Sequence, residues 1–148
     1  MKKDNCNLIG KRIVEIRYKS FLQDGEMCKI ILIFFKFDDN TWYSFTTCDG
    51  ISKINKIDSE PTLYEPISKE NEPLYSVNKL LNFRITDYSE IEKIYEYLWK
   101  GYSDESLGFL ICFTNAKKIS IIDNDGCIEI DDKDYTDLEK NVVKKLFI

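Results

Sequence analysis

The sequence contains no histidine among its 148 residues. Histidine is the commonest general base near neutral pH and the proton carrier of most serine and cysteine catalytic sites. Its absence excludes Ser-His-Asp and Cys-His arrangements. Carboxylate, lysine and tyrosine chemistry stays open, but the easiest catalytic routes are closed, and we expect a non-catalytic protein.

Long apolar runs and glycine-rich motifs are missing as well. The most apolar stretch, 30–37, is eight residues long and is broken by Lys36, whereas a membrane-spanning helix needs about 20 residues. No apolar segment follows the basic N-terminal residues, so we expect no export signal. The six glycines form neither a GxGxxG nor a GxxxxGK motif. We therefore expect a cytoplasmic protein that has no membrane association and no cofactor.

The cysteines do not form a CxxC pair, and their number is odd. They are Cys6, Cys28, Cys48, Cys112 and Cys127. In a chain without an export signal this pattern favours reduced thiols over disulfides. Structural zinc sites use closely spaced cysteine and histidine residues, which this chain lacks. We expect five reduced, non-catalytic cysteines and no bound metal.

The chain is acidic, with 26 aspartate and glutamate residues against 21 lysine and arginine residues and a pI of about 4.9. This balance disfavours nucleic acid as a partner. A mass of 17.5 kDa and a hydrophobic fraction of 43% are those of a single folded domain, 1–148, with a sizeable core.

Two stretches of the chain, 8–57 and 80–131, have the pattern of antiparallel β-meanders. The predicted strands of the first lie around 14–18, 27–37, 41–47 and 51–57, and those of the second around 107–114, 118–122 and 127–130. Each stretch contains an Asp-Gly hairpin signal, Asp49-Gly50 and Asp125-Gly126. We predict about six to eight strands in all.

Two segments are predicted to be α-helices. In the first, Ser89 and Glu92 have the spacing of a capping box, and the apolar stripe is Ile91, Ile94, Tyr95 and Leu98. The second begins near Tyr135, has Thr136 and Glu139 as its capping box, and has a stripe of Leu138, Val142 and Leu146. The predicted fold class is therefore α+β, with antiparallel β-meanders and two α-helices.

The two meanders share identical residues at a constant separation. Ser44, Asp49, Gly50 and Ile54 match Ser120, Asp125, Gly126 and Ile130 at an offset of 76 residues. Two interpretations stay open, a true duplication of 8–57 as 80–131 or the repeated use of common hairpin residues. The connector between the two stretches, 58–79, contains all three prolines.

Acidic residues are concentrated between Asp123 and Glu139, where Lys133 is the single basic residue. The candidate partner-binding residues are Asp123, Asp125, Glu129, Asp131, Asp132, Asp134 and Asp137. A negative surface would steer a basic partner. The competing interpretation is ordinary turn residues and acids near a helix start. The turn Asp123–Gly126 has part of a calcium-loop pattern, but its flanks are strands, so we expect a hairpin.

Aromatic residues offer a second candidate surface. Trp99 and Tyr102 flank Gly101, which is the expected end of the first predicted helix. Tryptophan and tyrosine are the side chains most often found at the energetic centre of protein interfaces. We therefore add Trp99 and Tyr102 to the candidate partner-binding residues.

Residues 8–13 (Leu-Ile-Gly-Lys-Arg-Ile), residues 37–42 (Phe-Asp-Asp-Asn-Thr-Trp) and the two Asp-Gly hairpins together resemble a known group. The chain resembles the small acidic immunity proteins that bacteria encode beside polymorphic or contact-dependent toxins. The resemblance lies in size, layout and turns, and contains no diagnostic motif. It implies a cytoplasmic protein that binds and blocks a cognate toxin domain, often one with a basic active site.

Three functions follow from these observations. The first is a non-catalytic immunity or inhibitor protein that occludes a toxin, with the acidic segment facing its partner. The alternative is a homo-oligomeric interaction or assembly module formed through an apolar edge strand. The third is a small enzyme that uses carboxylate and tyrosine residues.

Overall fold

The structure is a computed structural model, and it describes residues 7–23, 26–63, 74–81 and 83–148. The described residues form ten β-strands in two five-stranded antiparallel sheets. The first sheet, sheet A, contains β1 (Ile13–Gln23), β2 (Glu26–Phe37), β3 (Trp42–Cys48), β4 (Ile51–Ile57) and β5 (Leu74–Lys79). Sheet B contains β6 (Ile91–Trp99), β7 (Tyr102–Phe113), β8 (Lys118–Asn124), β9 (Cys127–Asp131) and β10 (Val142–Leu146).

The predicted α+β class is wrong, because the helices of the described residues are two single 3₁₀ turns, Ile85–Asp87 and Tyr135–Asp137. The strands also exceed the predicted six to eight. No helix in the described part of the chain is long and apolar enough to cross a membrane. The protein is built almost entirely from β-strands.

The first predicted helix is strand β6, and a β-bulge explains the error. Between Ile91 and Lys93, strand β6 advances two residues while β7 advances one. The extra residue places Ile91 and Ile94 on the same face of the sheet, where both are buried. A spacing of three residues is also the spacing of one helical face, so the bulge imitates a helical stripe. Burial of Ile94 and Leu98 was nevertheless the right expectation.

The second predicted helix is wrong for a different reason. Its first residues form the 3₁₀ turn, in which the Asp134 side chain accepts a hydrogen bond from Thr136 N. The remaining residues become the edge strand β10, which pairs with β6 in the register Val142↔Trp99 to Leu146↔Tyr95. A five-residue edge strand depends on its neighbour in the sheet for its hydrogen bonds. The local pattern of Leu138, Val142 and Leu146 could not reveal that neighbour.

The two sheets repeat one arrangement. Their strand orders, β4-β3-β2-β1-β5 and β9-β8-β7-β6-β10, are equivalent. The bulge of β6 recurs in β1 between Ile13 and Glu15. Both Asp-Gly turns have a residue pair with positive φ, at 51° and 80° in sheet A and at 55° and 83° in sheet B, as a two-residue hairpin requires. This is the arrangement that a duplicated unit would have, and the duplication itself stays a prediction.

The repeats are longer than the predicted units. Strand β5 lies within the predicted connector 58–79, of which 64–73 fall outside the described residues, and β10 follows the predicted end at 131. Each repeat therefore ends with a strand that returns to the edge of its own sheet beside the first strand. This fifth strand is separated from the meander by a stretch without strand structure, so the hairpin pattern did not include it.

The main hydrophobic core lies between the sheets and draws residues from both. At its centre the rings of Phe45 in β3 and Phe109 in β7 are 5.7 Å apart and nearly perpendicular. Phe35 packs against Phe45 at 4.9 Å, and Phe147 packs against Phe109 at 5.3 Å. Edge-to-face aromatic contacts of this kind add to the free energy gained by burial.

The sheets are offset where they pack together. Strand β2 contacts β9, β4 contacts β7, and β3 contacts β8, which is the exchange of partners that two equivalent units produce. The backbone of Ser106 in β7 donates a hydrogen bond of 2.8 Å to the carbonyl of Gly50 beside β4. Since β4 ends sheet A above β7, part of the inner face of β6 and β10 is left beside an open cleft.

Candidate binding surfaces

The acidic segment does not form one surface, because strand β9 separates its two ends. Five strand residues rise by about 3.3 Å each, so the acids before and after β9 lie at different ends of the sheet. Asp123 accepts a hydrogen bond of 3.0 Å from Gly126 N, and Asp125 has positive φ in the hairpin turn. Glu129 is exposed within the strand and accepts a hydrogen bond from Asn124.

The acids after β9 lie among basic residues. Asp131 accepts a hydrogen bond of 2.6 Å from Lys133 N. Asp132 and Asp137 line a depression of about 370 Å³ together with Asp87 and three lysines, Lys117, Lys118 and Lys133. Positive and negative charges therefore alternate here, which weakens the field that a basic partner would experience.

Asp134 is buried, and its carboxylate is used within the protein. It accepts hydrogen bonds from Thr136 N at 3.0 Å and from Thr136 Oγ1 at 2.6 Å, and it forms an ion pair with Lys144. Burial acts to raise the pKa of Asp134, but the hydrogen bonds from Lys144 and Thr136 outweigh burial and lower it. Asp134 contributes no exposed carboxylate to a partner surface, since its exposed fraction is 5%.

Asp134 belongs to a buried polar network on the outer face of sheet B. The Tyr97 hydroxyl lies 2.8 Å from Ser120 Oγ and accepts a hydrogen bond from Tyr135 N at 2.9 Å. It also donates to Asp134 at 3.4 Å. Burial is the main cause that raises the pKa of Tyr97 above its ordinary value. The network joins the 3₁₀ turn to the sheet, and each of its hydroxyl groups has a partner.

Trp99 and Tyr102 lie opposite each other at the hairpin between β6 and β7. Both side chains are exposed, by 37% and 60%. Gly101 has a φ of 88° in the turn between them, so the glycine that was expected to end a helix forms a hairpin instead. The two aromatic residues are therefore presented together at one tip of sheet B.

The same hairpin leads into an open cleft of about 330 Å³ between the sheets. The β4–β10 cleft is lined by Gly50, Ile51, Ser52, Glu96, Leu98, Asp104, Ser106, Lys145, Leu146 and Phe147. Buried hydroxyls connect its walls, because Ser106 Oγ donates to Ser52 Oγ at 2.6 Å and Ser52 Oγ donates to Thr47 Oγ1 at 2.8 Å. The cleft thus combines an apolar lining with the carboxylates of Glu96 and Asp104.

Further acids lie beside the cleft at one end of the sandwich. Desolvation, followed by the negative charges of Asp49 and Asp123, raises the pKa of the Cys48 thiol. The two Asp-Gly hairpins, one from each sheet, are therefore close to each other. A Cβ atom added to Gly50 would lie 3.7 Å from Glu105 Cγ, so Glu105 packs against the first turn. The acidic end consists of Asp49, Glu105, Asp123 and Asp125.

Sequence reasoning identified some of these residues and missed others. It proposed Asp123, Asp125, Trp99 and Tyr102, but not Asp49, Glu96, Asp104 or Glu105. The missed acids are scattered over β6, β7 and the first hairpin, and only the offset of the two sheets brings them near one another. The repeated Asp-Gly turn was the one sequence signal that connected Asp49 with Asp125.

Comparison of the chain with protein-family models, with curated proteins and with solved structures found no match.

Proposed function

We propose that this protein is a non-catalytic binding protein that receives a basic segment of a protein partner at the β4–β10 cleft. The observation that carries the proposal is the meeting of two carboxylates, Glu96 and Asp104, with an apolar lining in an open cleft. Lysine and arginine side chains have apolar stems and charged ends, and such a cleft is complementary to both parts. Lys145, which pairs across the strands with Glu96, limits the negative charge on one side.

The surroundings of the cleft support the same kind of partner. The acidic end extends the negative charge beyond the cleft, and such a field increases the rate at which a basic protein associates. Trp99 and Tyr102, exposed at the adjoining hairpin, have the size and polarity of interface anchors. Aromatic anchors beside charged groups are a common composition of protein–protein interfaces.

The role we propose for such binding is that of an immunity or inhibitor protein that occludes a cognate toxin domain in the cytoplasm. In this mechanism carboxylates of the cleft take the place of the phosphates that a basic active site binds. No covalent bond is made or broken. The acidic end and the size of the chain support this role.

The second candidate function is assembly into homo-oligomers through β10. This strand is at the edge of sheet B, and Val143 and Leu146 are exposed by 41% and 54%. An exposed apolar edge strand is able to pair with the same strand of another copy. Size-exclusion chromatography with light scattering over a range of concentrations distinguishes a monomer from a dimer.

Site-specific photo-crosslinking tests the main proposal. A photoreactive phenylalanine analogue replaces Tyr102 in the producing cells, and Leu81, which is 83% exposed, is the matched control position. We expect one protein to be crosslinked from position 102 and not from position 81. The captured protein is then purified, and its affinity for the Glu96→Gln/Asp104→Asn variant is compared with its affinity for an Asp58→Asn/Asp137→Asn control.

We expect the cleft variant to bind the captured protein at least about tenfold more weakly, a loss of about 1.4 kcal/mol, because it lacks two carboxylates of the cleft. The control variant removes the same number of exposed charges elsewhere. Equal affinities of the two variants would reject the cleft as the binding site. Crosslinking only to a second copy of the chain would favour the oligomer instead.

A further inference from the structure

A depression on the outer face of sheet B is lined by four lysines. Lys93, Lys117, Lys118 and Lys144 surround a space of about 210 Å³, separate from the β4–β10 cleft. Four like charges in so small a space repel one another unless anions compensate them. The concentration of positive charge is notable in a protein whose net charge is −5.

The acids of the chain compensate this charge only in part. Lys144 is paired with Asp134, as described above. Among the residues that the structure describes, no carboxylate forms an ion pair with Lys93, Lys117 or Lys118. Glu92 at the lining supplies one negative charge. Three unpaired lysines and one glutamate leave about two net positive charges, which a dianion would neutralise.

The ammonium groups converge on the floor of the depression. Lys93 Nζ and Lys144 Nζ lie 5.8 Å and 5.2 Å from the centre of the Tyr95 ring. Burial raises the pKa of the Cys112 thiol, and the charges of Lys118, Lys144 and Lys93 act in the opposite direction. Three ammonium groups therefore act on one small area of the sheet, at Cys112 and Tyr95.

The equivalent depression of sheet A shows what can compensate such a cation. It is lined by Lys36, Asn40, Thr41 and Trp42, which correspond at an offset of 76 residues to Cys112, Ala116, Lys117 and Lys118. Beside it the Arg17 guanidinium lies 4.7 Å from the centre of the Trp42 ring. Arg17 donates hydrogen bonds to the Glu15 carboxylate, to the Glu60 carboxylate at 2.5 Å and to the Pro61 carbonyl.

In sheet A, then, the chain's own carboxylates compensate a cation that packs on an aromatic ring. In sheet B the position equivalent to Glu15 is Lys93, since the first strands of the repeats align at an offset of 78 residues. The anion supplied by Glu15 in sheet A is thus replaced by a further cation. The geometry of cation and ring is retained, but the compensating anion is not supplied by an equivalent side chain.

We propose that the lysine-lined depression of sheet B binds a phosphate dianion, either inorganic phosphate or the phosphate group of a small monoester. The charge of a phosphate dianion matches the two net positive charges at the site. Lysine ammonium groups bind phosphate as point charges and do not require the planar geometry of arginine. In a monoester, the organic group would lie beside the Tyr95 ring.

Titration followed by ¹H–¹⁵N correlation NMR tests the proposal directly. Inorganic phosphate and phenyl phosphate are added separately at pH 7.5 and constant ionic strength, with sodium chloride as the reference. We expect saturating shifts of the amides of Lys93, Cys112 and 116–118, with a Kd on the order of 1 mM. Tighter binding of phenyl phosphate would identify a monoester as the ligand, and equal binding would identify the free anion.

The matched variants are Lys93→Gln/Lys118→Gln and, as a control on surfaces away from the depression, Lys53→Gln/Lys100→Gln. We expect the first pair to weaken binding by at least about tenfold and the control pair to leave it unchanged, because only the first removes charge from the site. The dispersion of each spectrum shows whether the variant is folded. Shifts that do not saturate, or that are the same in both variants, would overturn the proposal.

The pH dependence provides a second readout. The last ionisation of a phosphate monoester has a pKa of about 6, while lysine ammonium groups keep their charge throughout this range. We therefore expect phenyl phosphate to bind more weakly at pH 5 than at pH 7.5. Unchanged affinity between the two pH values would show that the site does not require the dianion and would reject this choice of ligand.

Discussion

At the scale of single residues, Asp134 is the acid most closely integrated into the fold. Its carboxylate joins the 3₁₀ turn, Lys144 of β10 and, through Tyr97, the strand β6. We expect Asp134→Asn to lower the free energy of unfolding by about 1–3 kcal/mol at pH 7, because Lys144 and Thr136 lose a charged acceptor in a buried position. Urea denaturation measures this loss, with the exposed Asp137→Asn as the control.

The lowered pKa of Asp134 fixes the direction of the pH dependence. A carboxyl group whose pKa is lower in the folded state stabilises the protein above its unfolded value, about 3.9 for aspartate, and loses that contribution as the pH falls through the folded value. The difference between the wild type and Asp134→Asn should therefore be full at pH 7 and decrease below about pH 4. A difference that stays constant down to pH 2 would contradict the assignment.

Gly108 is the second residue whose identity has a clear structural cause. It lies opposite Ile122 in the sheet with a φ of 141°, and an added Cβ would be 1.9 Å from the Ile121 carbonyl oxygen. Gly108→Ala should therefore cost more than about 3 kcal/mol or prevent folding. Gly101→Ala, where φ is 88° and no atom lies within 4 Å of the new Cβ, should cost only about 1 kcal/mol. Thermal melts compare the two variants.

At the scale of elements, strand β6 makes a prediction that a helix would reverse. The helical stripe contained Tyr95 and left out Tyr97, whereas in the strand Tyr97 is fully buried and Tyr95 is half-buried. We expect Tyr97→Ala to destabilise the protein by about 3–5 kcal/mol and Tyr95→Ala to destabilise it less. Urea denaturation of both variants gives the order, and a larger effect at Tyr95 would contradict the strand.

The elements that sequence reasoning predicted correctly are those set by local chemistry. The strands expected at 41–47, 51–57, 118–122 and 127–130 correspond to β3, β4, β8 and β9. Their bounds follow from alternation and from Asp-Gly turns, which act within a few residues. The errors occur where distant residues decide the structure. The bulge in β6 is defined by β7, and β10 exists as a strand only beside β6.

The candidate site follows the same rule. Trp99 and Tyr102 are adjacent in the chain and were found from the sequence, although the hairpin between them was mistaken for a helix end. Glu96 and Asp104 are brought to the β4–β10 cleft by β6 and β7, and the cleft exists only because sheet A ends above β7. A charge count along the chain has no access to that offset, so it overestimated the acidic segment and overlooked the cleft.

At the scale of the whole molecule, both sheets share one core, and this predicts a single cooperative unfolding transition. The Phe45 and Phe109 rings join the sheets at the centre of the sandwich, and Phe35 and Phe147 extend the contact on either side. Neither sheet can bury its inner face without the other. Small single domains with one core usually unfold without populated intermediates.

The two tryptophans allow each sheet to be observed separately. Trp42 is in sheet A and Trp99 is in sheet B, and the chain contains no other tryptophan. In Trp99→Phe the fluorescence reports sheet A, and in Trp42→Phe it reports sheet B, while circular dichroism reports the strands of both. Because the core is shared, we expect the fluorescence and dichroism midpoints to coincide within each variant, even though Trp42→Phe, which changes a buried residue, lowers both midpoints. If the repeats were independent units, the fluorescence midpoint of at least one variant would depart from its dichroism midpoint, and the unfolding of the two sheets would then have to be described separately.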